Sequence, residues 1–240
     1  MITSSVDTAK SVRERLIVAL DVPNARAAQE LVHRVGDVAG FYKVGLQLFA
    51  AEGPDVVREL VASGRRVFLD LKLHDIPNTV SHAVRSAVDL GASMLTVHAS
   101  GGVEMLRAAA QAADNRLLLL GVTVLTSLND EDLQETGVSG RVLDQALRMA
   151  ALAQSAGCRG VVTSPHEVSQ LRKLLGEGYS IVVPGVRPQG SSRDDQQRVG
   201  TPGQTIRAGA SHLVVGRPIT QASDPARAAE AIVREIEQAI

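Results

Sequence analysis

The chain has 240 residues, 45% of them hydrophobic and 21% charged, with a formal net charge of −1. That balance suits an ordinary globular protein with one large core, and it leaves no global field to recruit nucleic acid or an anionic membrane. No apolar run approaches the ~20 residues needed to cross a bilayer, and the polar start lacks the apolar centre of a signal peptide, so the expected location is cytoplasmic.

Short apolar runs alternate with helical patterns along the whole chain. Leu16-Ile17-Val18-Ala19-Leu20-Asp21 reads as the first strand. Pro23 and Asn24 open a helix with Ala27, Ala28, Leu31, Val32 and Val35 on one face. Phe41 to Gly45 is the second strand, and Gly53-Pro54 starts a helix that Gly64 closes. The third strand opens at Val67, and its helix runs from Pro77 to Leu90. Met94 to His98 is the fourth strand, followed by a helix from Gly102 to Ala113. Leu117 to Val124 is the fifth, after which a longer polar connection leads to a helix from Val142 to Ala156. The lone Cys158 follows; it can form no intrachain disulfide and reads as a small buried hydrophobe. Gly160 to Thr163 is the sixth strand, with a helix through Leu174. Ile181 to Pro184 is the seventh, and Leu213 to Gly216 the eighth. Asp224-Pro225, a cap and then a first-turn proline, starts the last helix.

Eight strand-then-helix units predict an α/β fold of the (β/α)8 barrel type, as a single domain over 1–240. Continuous apolar strands fit a parallel sheet covered on both sides. A doubly wound open sheet would need a glycine-rich turn after the first strand, where Asp21-Val22-Pro23-Asn24 stands instead. Residues 1–14 are expected to form a loose end and a short helix covering the barrel bottom.

The third strand is unusual. Asp70 and Lys72 stand two apart in an apolar run, so they point to one side of the strand. Opposite charges are far less costly to bury as a hydrogen-bonded pair than singly. Spacing alone leaves two readings open: a structural ion pair before a helix start, or a pair placed for chemistry. In a barrel of this type the ligand sits at the carboxyl ends of the strands. Asp21, Lys43, Asp70, Lys72, Thr126, Ser127, Arg187, Gly216 and Arg217 all fall at or near those ends. Gly216 lets a backbone come close and Arg217 offers a forked cationic donor, a pairing suited to phosphate. The long polar segment from Pro184 to Gln196 reads as a surface loop or as a lid over that phosphate.

Asp70-Leu71-Lys72-Leu73-His74-Asp75-Ile76-Pro77-Asn78-Thr79 resembles the D-x-K-x-x-D-I-P-x-T signature of the orotidine 5'-phosphate decarboxylase family. Leu125-Thr126-Ser127, Pro184-Gly185-Val186-Arg187-Pro188 and Val215-Gly216-Arg217-Pro218 extend the resemblance over nearly the whole chain. It implies that Asp21 and Lys43 bind ribose, with Lys43 joining the charged network. Asp70 would face the departing carboxyl group, and Lys72 would donate the proton. Asp75, Ile76 and Thr79 would be lent to the partner subunit of a homodimer. Ser127, with Thr126 beside it, would read the pyrimidine amide edge. Arg187, Gly216 and Arg217 would hold the phosphate, and Gln196 would bridge phosphate and pyrimidine. The resemblance implies no cofactor and no metal, and no nucleic-acid or membrane partner is expected. Val97-His98-Ala99-Ser100-Gly101-Gly102 also matches, with His98 and His74 expected to be structural.

Two rivals remain at this stage. The sister 3-keto-L-gulonate 6-phosphate decarboxylases and hexulose-phosphate synthases are similar in having D-x-K-x-x-D, but they use Mg²⁺ with a Glu on strand two. This chain has Lys43-Val44-Gly45-Leu46 there, and a Lys would repel a divalent cation. A non-catalytic nucleotide-phosphate binder would keep Arg217 but has no need for Asp70, Lys72 and Asp75 together.

Overall fold

The computed structural model describes residues 12–188 and 198–240. Eight parallel strands close into a barrel in sequence order, the eighth pairing back onto the first. The strands are β1 (Leu16–Ala19), β2 (Phe41–Gly45), β3 (Val67–Leu73), β4 (Met94–His98), β5 (Leu118–Val122), β6 (Gly160–Val162), β7 (Ser180–Val183) and β8 (His212–Val215). Each crossover carries at least one helix. In chain order these are α1 (Ala25–Val35), α2 (Leu46–Glu52), α3 (Asp55–Ala62), α4 (Pro77–Asp89), α5 (Gly102–Ala113), α6 (Asp130–Glu135), α7 (Val142–Ser155), α8 (Val168–Leu175), α9 (Pro202–Arg207), α10 (Arg217–Thr220) and α11 (Pro225–Glu237).

Strand parity divides the apolar residues into two bodies. One set faces outward under the helices: Leu16 and Val18 on β1, Tyr42 and Val44 on β2, and Val67 and Leu69 on β3 pack there with Ala28, Leu31 and Val35 of α1. The alternate set fills the interior: Ile17, Phe41, Phe68, Met94, Leu120, Val162, Val182 and Val214 form a separate cluster. This is the stacked side-chain filling expected of such a barrel. Gly160 shows how tight it is, because a Cβ there would lie 2.6 Å from Leu120 Cδ2.

Helix starts follow their local chemistry. The Asn24 side chain accepts from the Ala27 N–H at the start of α1, and Asp224 accepts from the Arg227 N–H at the start of α11, where Pro225 is the first helical residue. α2 and α6 were not expected from the sequence. The supposed polar connection after β5 contains α6, which a reciprocal Asn129–Asp132 capping box starts. The expectation for residues 1–14 falls outside the described residues as far as residue 11.

Candidate active site

Moving up the inner face of the barrel, the side chains change from apolar to charged in one step of parity. Above Phe41 stands Lys43; above Phe68 stand Asp70 and then Lys72; above Met94 stands Thr96. Lys43, Asp70 and Lys72 open into a cavity of about 560 Å³ at the carboxyl ends of the strands, with Thr96 buried behind them. Phe68, Val122, Val162 and Val214 line it together with Asp21, Lys43, Asp70, Lys72, Thr126, Arg187, Gly216 and Arg217.

Four charges alternate in sign along one wall. Asp21 Oδ1 lies 3.0 Å from Lys43 Nζ, and Lys43 Nζ lies 3.6 Å from Asp70 Oδ2. Lys72 Nζ donates to both oxygens of Asp70 at 3.0 Å. Asp70 and Lys43 are buried, whereas Asp21 is exposed at the cavity mouth. Burial alone would raise the Asp70 carboxyl, but the Lys43 and Lys72 charges and hydrogen bonds from Lys72 and Thr96 outweigh it. The net shift is downward, so Asp70 is an anion near neutrality. Gly45 makes room for this arrangement, since a Cβ there would lie 2.7 Å from Lys43 Nζ.

Asp70 and Lys72 reach the same side of β3, but not by simple alternation. β3 is not regular between them and its end: Leu69 pairs with Leu95 but Leu73 pairs with Val97, so β3 uses four steps where β4 uses two. Lys72 takes a left-handed backbone with φ +50°, a conformation that residues with a side chain rarely adopt. Its N–H donates to the Thr96 hydroxyl at 2.9 Å. Thr96 is fully buried and was missed in the sequence, although its place two residues after Met94 on the inner face was legible.

A second buried polar group braces the cavity mouth. The Glu167 carboxylate accepts from the Thr163 hydroxyl at 3.0 Å and from the Ser164 hydroxyl at 2.6 Å and N–H at 3.0 Å. It also pairs with the Arg198 guanidinium, which donates onward to the Leu125 carbonyl at 2.8 Å. Leu125 precedes Thr126, so the pair ties the start of the 125–127 loop to β6. From the other side Leu133 of α6 packs on Val124 with Val142 and Ala146. Nothing in the local sequence joins Glu167 to Arg198, and neither was singled out.

The remaining expected residues divide into three cases. Arg187, Gly216 and Arg217 do converge on the cavity, and the base of the 186–200 loop is held by an Arg187 N–H bond to the Gly200 carbonyl at 3.0 Å. Ser127 is exposed and, unlike Thr126, does not line the cavity. Asp75, Ile76 and Thr79 are exposed on the surface beyond β3, outside this chain's own cavity, with Ile76 65% exposed. Gln196 lies outside the described residues. His74 and His98 contact each other with ring centroids 5.4 Å apart, and burial, then the His74 and Lys72 charges, hold the His98 pKa down. Cys158 is buried, which pushes its thiol up to about 12. Among the described residues no cluster of three or more His, Cys, Asp or Glu is placed to hold a metal ion. No helix among them is long and apolar enough to cross a membrane.

Comparison with known proteins agrees with this geometry. The family model described as orotidine 5'-phosphate decarboxylase / HUMPS family matches residues 14–232. An orotidine 5'-phosphate decarboxylase of Moorella thermoacetica is 52% identical over 234 residues, spanning 94% of this chain and 93% of that protein. Another, from Anaeromyxobacter sp. (strain K), is 52% identical over 219 residues, spanning 91% and 96%. The crystal structure of orotidine 5'-phosphate decarboxylase from Lactobacillus acidophilus superposes with a TM-score of 0.83 at 38% identity, covering 93% of this chain and 99% of that one. With its closed parallel barrel, its charged inner wall and this match over most of its length, the chain belongs to the orotidine 5'-phosphate decarboxylase / HUMPS family.

Proposed function

We propose that this protein is a carboxy-lyase that converts orotidine 5'-phosphate to UMP and CO2 in pyrimidine biosynthesis, without metal or cofactor. The observation that carries the reading is the alternating Asp21, Lys43, Asp70, Lys72 wall inside a family barrel. The bond from ring carbon 6 to the carboxyl group breaks, its electron pair stays on carbon 6, and CO2 leaves. The intermediate is a vinyl-type carbanion with no electron sink. A fixed ammonium beside that carbon interacts more strongly with the carbanion than with the substrate, which is the requirement for catalysis. Lys72 is that ammonium, and it then gives its proton to carbon 6. Asp70 holds the Lys72 ammonium in place and faces the departing carboxyl group.

The rest of the cavity binds what does not react. Asp21 and Lys43 take the ribose hydroxyls, and Thr126 reads the pyrimidine edge from the lining, with Ser127 having to turn in from its exposed position to join it. Arg187, Gly216 and Arg217 hold the phosphate, with Gln196 bridging phosphate and base. A Cβ at Gly216 would meet no protein atom closer than 3.6 Å, so space within the protein does not demand glycine; a ligand approaching its backbone does. Asp75, Ile76 and Thr79 complete the site of a second copy in a cytoplasmic homodimer, which accounts for their exposure here.

The Mg²⁺-dependent sugar-phosphate chemistry of the sister group fits less well. The Lys43 ammonium stands between Asp21 and Asp70, where a divalent cation would need anionic ligands. The test is ultraviolet loss of orotidine 5'-phosphate at ~10 µM substrate, within the usual KM range, with and without EDTA. Turnover that persists in EDTA and disappears in Lys72→Ala, while UMP still binds, is the expected result. Near-normal turnover by Lys72→Ala overturns the mechanism.

A further inference from the structure

One hydroxyl accepts from the Lys72 backbone and donates to the carboxylate that holds the Lys72 ammonium. The Lys72 N–H donates to Thr96 Oγ1 at 2.9 Å, and the same hydroxyl donates to Asp70 Oδ1 at 2.9 Å. Asp70 in turn accepts from Lys72 Nζ at 3.0 Å on each oxygen. The contacts form a closed ring that runs from the Lys72 backbone through Thr96 and Asp70 back to the Lys72 ammonium. Only a group that both donates and accepts can close it, and a hydroxyl is the smallest side chain that does.

The ring sits where β3 needs it. The register slip against β4 removes the ordinary ladder partner of the Lys72 N–H, and the residue is in the left-handed region. A non-glycine residue holds such a conformation only when its surroundings over-determine it. Thr96 stands on β4 opposite the slip, is fully buried, and supplies the missing acceptor.

We propose that Thr96 is a positioning residue that fixes both the backbone turn aiming Lys72 into the cavity and the orientation of the Asp70 carboxylate beside it. The proposal rests on Lys72 being the proton donor. A hydroxyl that only satisfied a buried N–H would contribute to stability and nothing else. A positioning hydroxyl acts on the chemical step, because the ammonium must meet carbon 6 within a narrow geometry.

The experiment compares Thr96→Val, which keeps shape and branching but lacks the hydroxyl, with Thr96→Ser, which keeps the hydroxyl. Thr96→Val is expected to lower kcat by about 10- to 100-fold, the range of one hydrogen bond to a charged group. Its KM and its affinity for UMP should stay near wild type, and Thr96→Ser should keep most of the kcat. The acid limb of the kcat profile should move to higher pH in Thr96→Val, since the ionised Asp70 has lost a donor. A Thr96→Val enzyme with wild-type kcat and pH profile overturns the proposal, as does equal damage in Thr96→Ser. Thr96→Ala carries the same comparison should Thr96→Val not fold. Normal turnover in Lys72→Ala would instead remove the mechanism beneath it, so the two failures are distinguishable.

Discussion

Replacing Glu167 by Gln should loosen the cavity mouth without touching the reacting groups. The carboxylate is 4% exposed and its partner Arg198 is 11% exposed, so water does little to screen them. An amide oxygen can keep the three bonds from Thr163 and Ser164. The amide nitrogen must then face the Arg198 guanidinium, donor against donor. Arg198 is left as a buried charge, and its Nε already has no partner among the described residues. Breaking a buried pair from one side costs about 3–5 kcal/mol; with three bonds retained, the lower end, about 3 kcal/mol, applies. For a chain of this size each kcal/mol moves Tm by about 2–4 °C, so a fall of roughly 6–12 °C is expected. Arg198 also releases the Leu125 carbonyl, so KM should rise more than kcat falls. Thermal melts by circular dichroism and steady-state kinetics read both effects. The double variant Glu167→Gln with Arg198→Met should recover much of the Tm, because no charge is left buried and the amide oxygen still accepts from Thr163 and Ser164, yet keep the raised KM. A Glu167→Gln protein with unchanged Tm and KM would refute the reasoning, and so would a double variant less stable than the single one.

Mixing inactive Lys72→Ala with inactive Asp75→Ala and allowing subunit exchange should restore about a quarter of wild-type activity, since half the dimers are mixed and each has one intact site; no recovery despite proven exchange counts against a shared site. His212 is half-buried with its ring edge-to-face with Phe41, and desolvation of that ring, then Arg15 and Arg66, lower its pKa to about 4. The neutral form is the folded one, so His212 contributes stability above about pH 6.5, the ordinary histidine value, that drains away as pH falls toward 4. Denaturant melts across that window should show His212→Gln with a flatter pH dependence, and parallel curves would exclude the assignment. Gly45→Ala should fold, but its Cβ displaces the Lys43 ammonium from Asp21 and Asp70, lowering kcat/KM by roughly tenfold or more for one charged hydrogen bond. Wild-type kinetics from that variant would show that the position of Lys43 is immaterial.

Elements with their own local chemistry were legible in the sequence. β2 and β4 have the expected bounds, and α11 starts at its cap and proline as expected. α2 was not seen because its start, Gly45, offers no side-chain cap and only Leu48 is buried. α6 and α9 did carry signals: the Asn129–Asp132 box, and Thr201 ahead of Pro202. Their shortness let them pass for loop. For the site, strand ends brought most of the cavity residues together because strand parity acts locally. The buried brace did not appear, because Glu167 and Arg198 are 31 residues apart and meet only through the closed barrel. Lys72 does line the cavity, but alternation alone would aim it inward only on a regular strand, and the real strand brings it there through a left-handed residue.

The division of the barrel interior into a greasy floor and a charged wall has a consequence for how such proteins diversify. Phe41, Phe68, Met94 and their neighbours carry the packing, whereas Lys43, Asp70 and Thr96 stand one parity step higher and Lys72 above them. Replacements in that upper tier leave the foundation beneath whole, but Lys43 and Asp70 are buried partners, so a change at one strands the charge of the other. New chemistry on this frame therefore requires changing such groups in pairs rather than one side chain at a time.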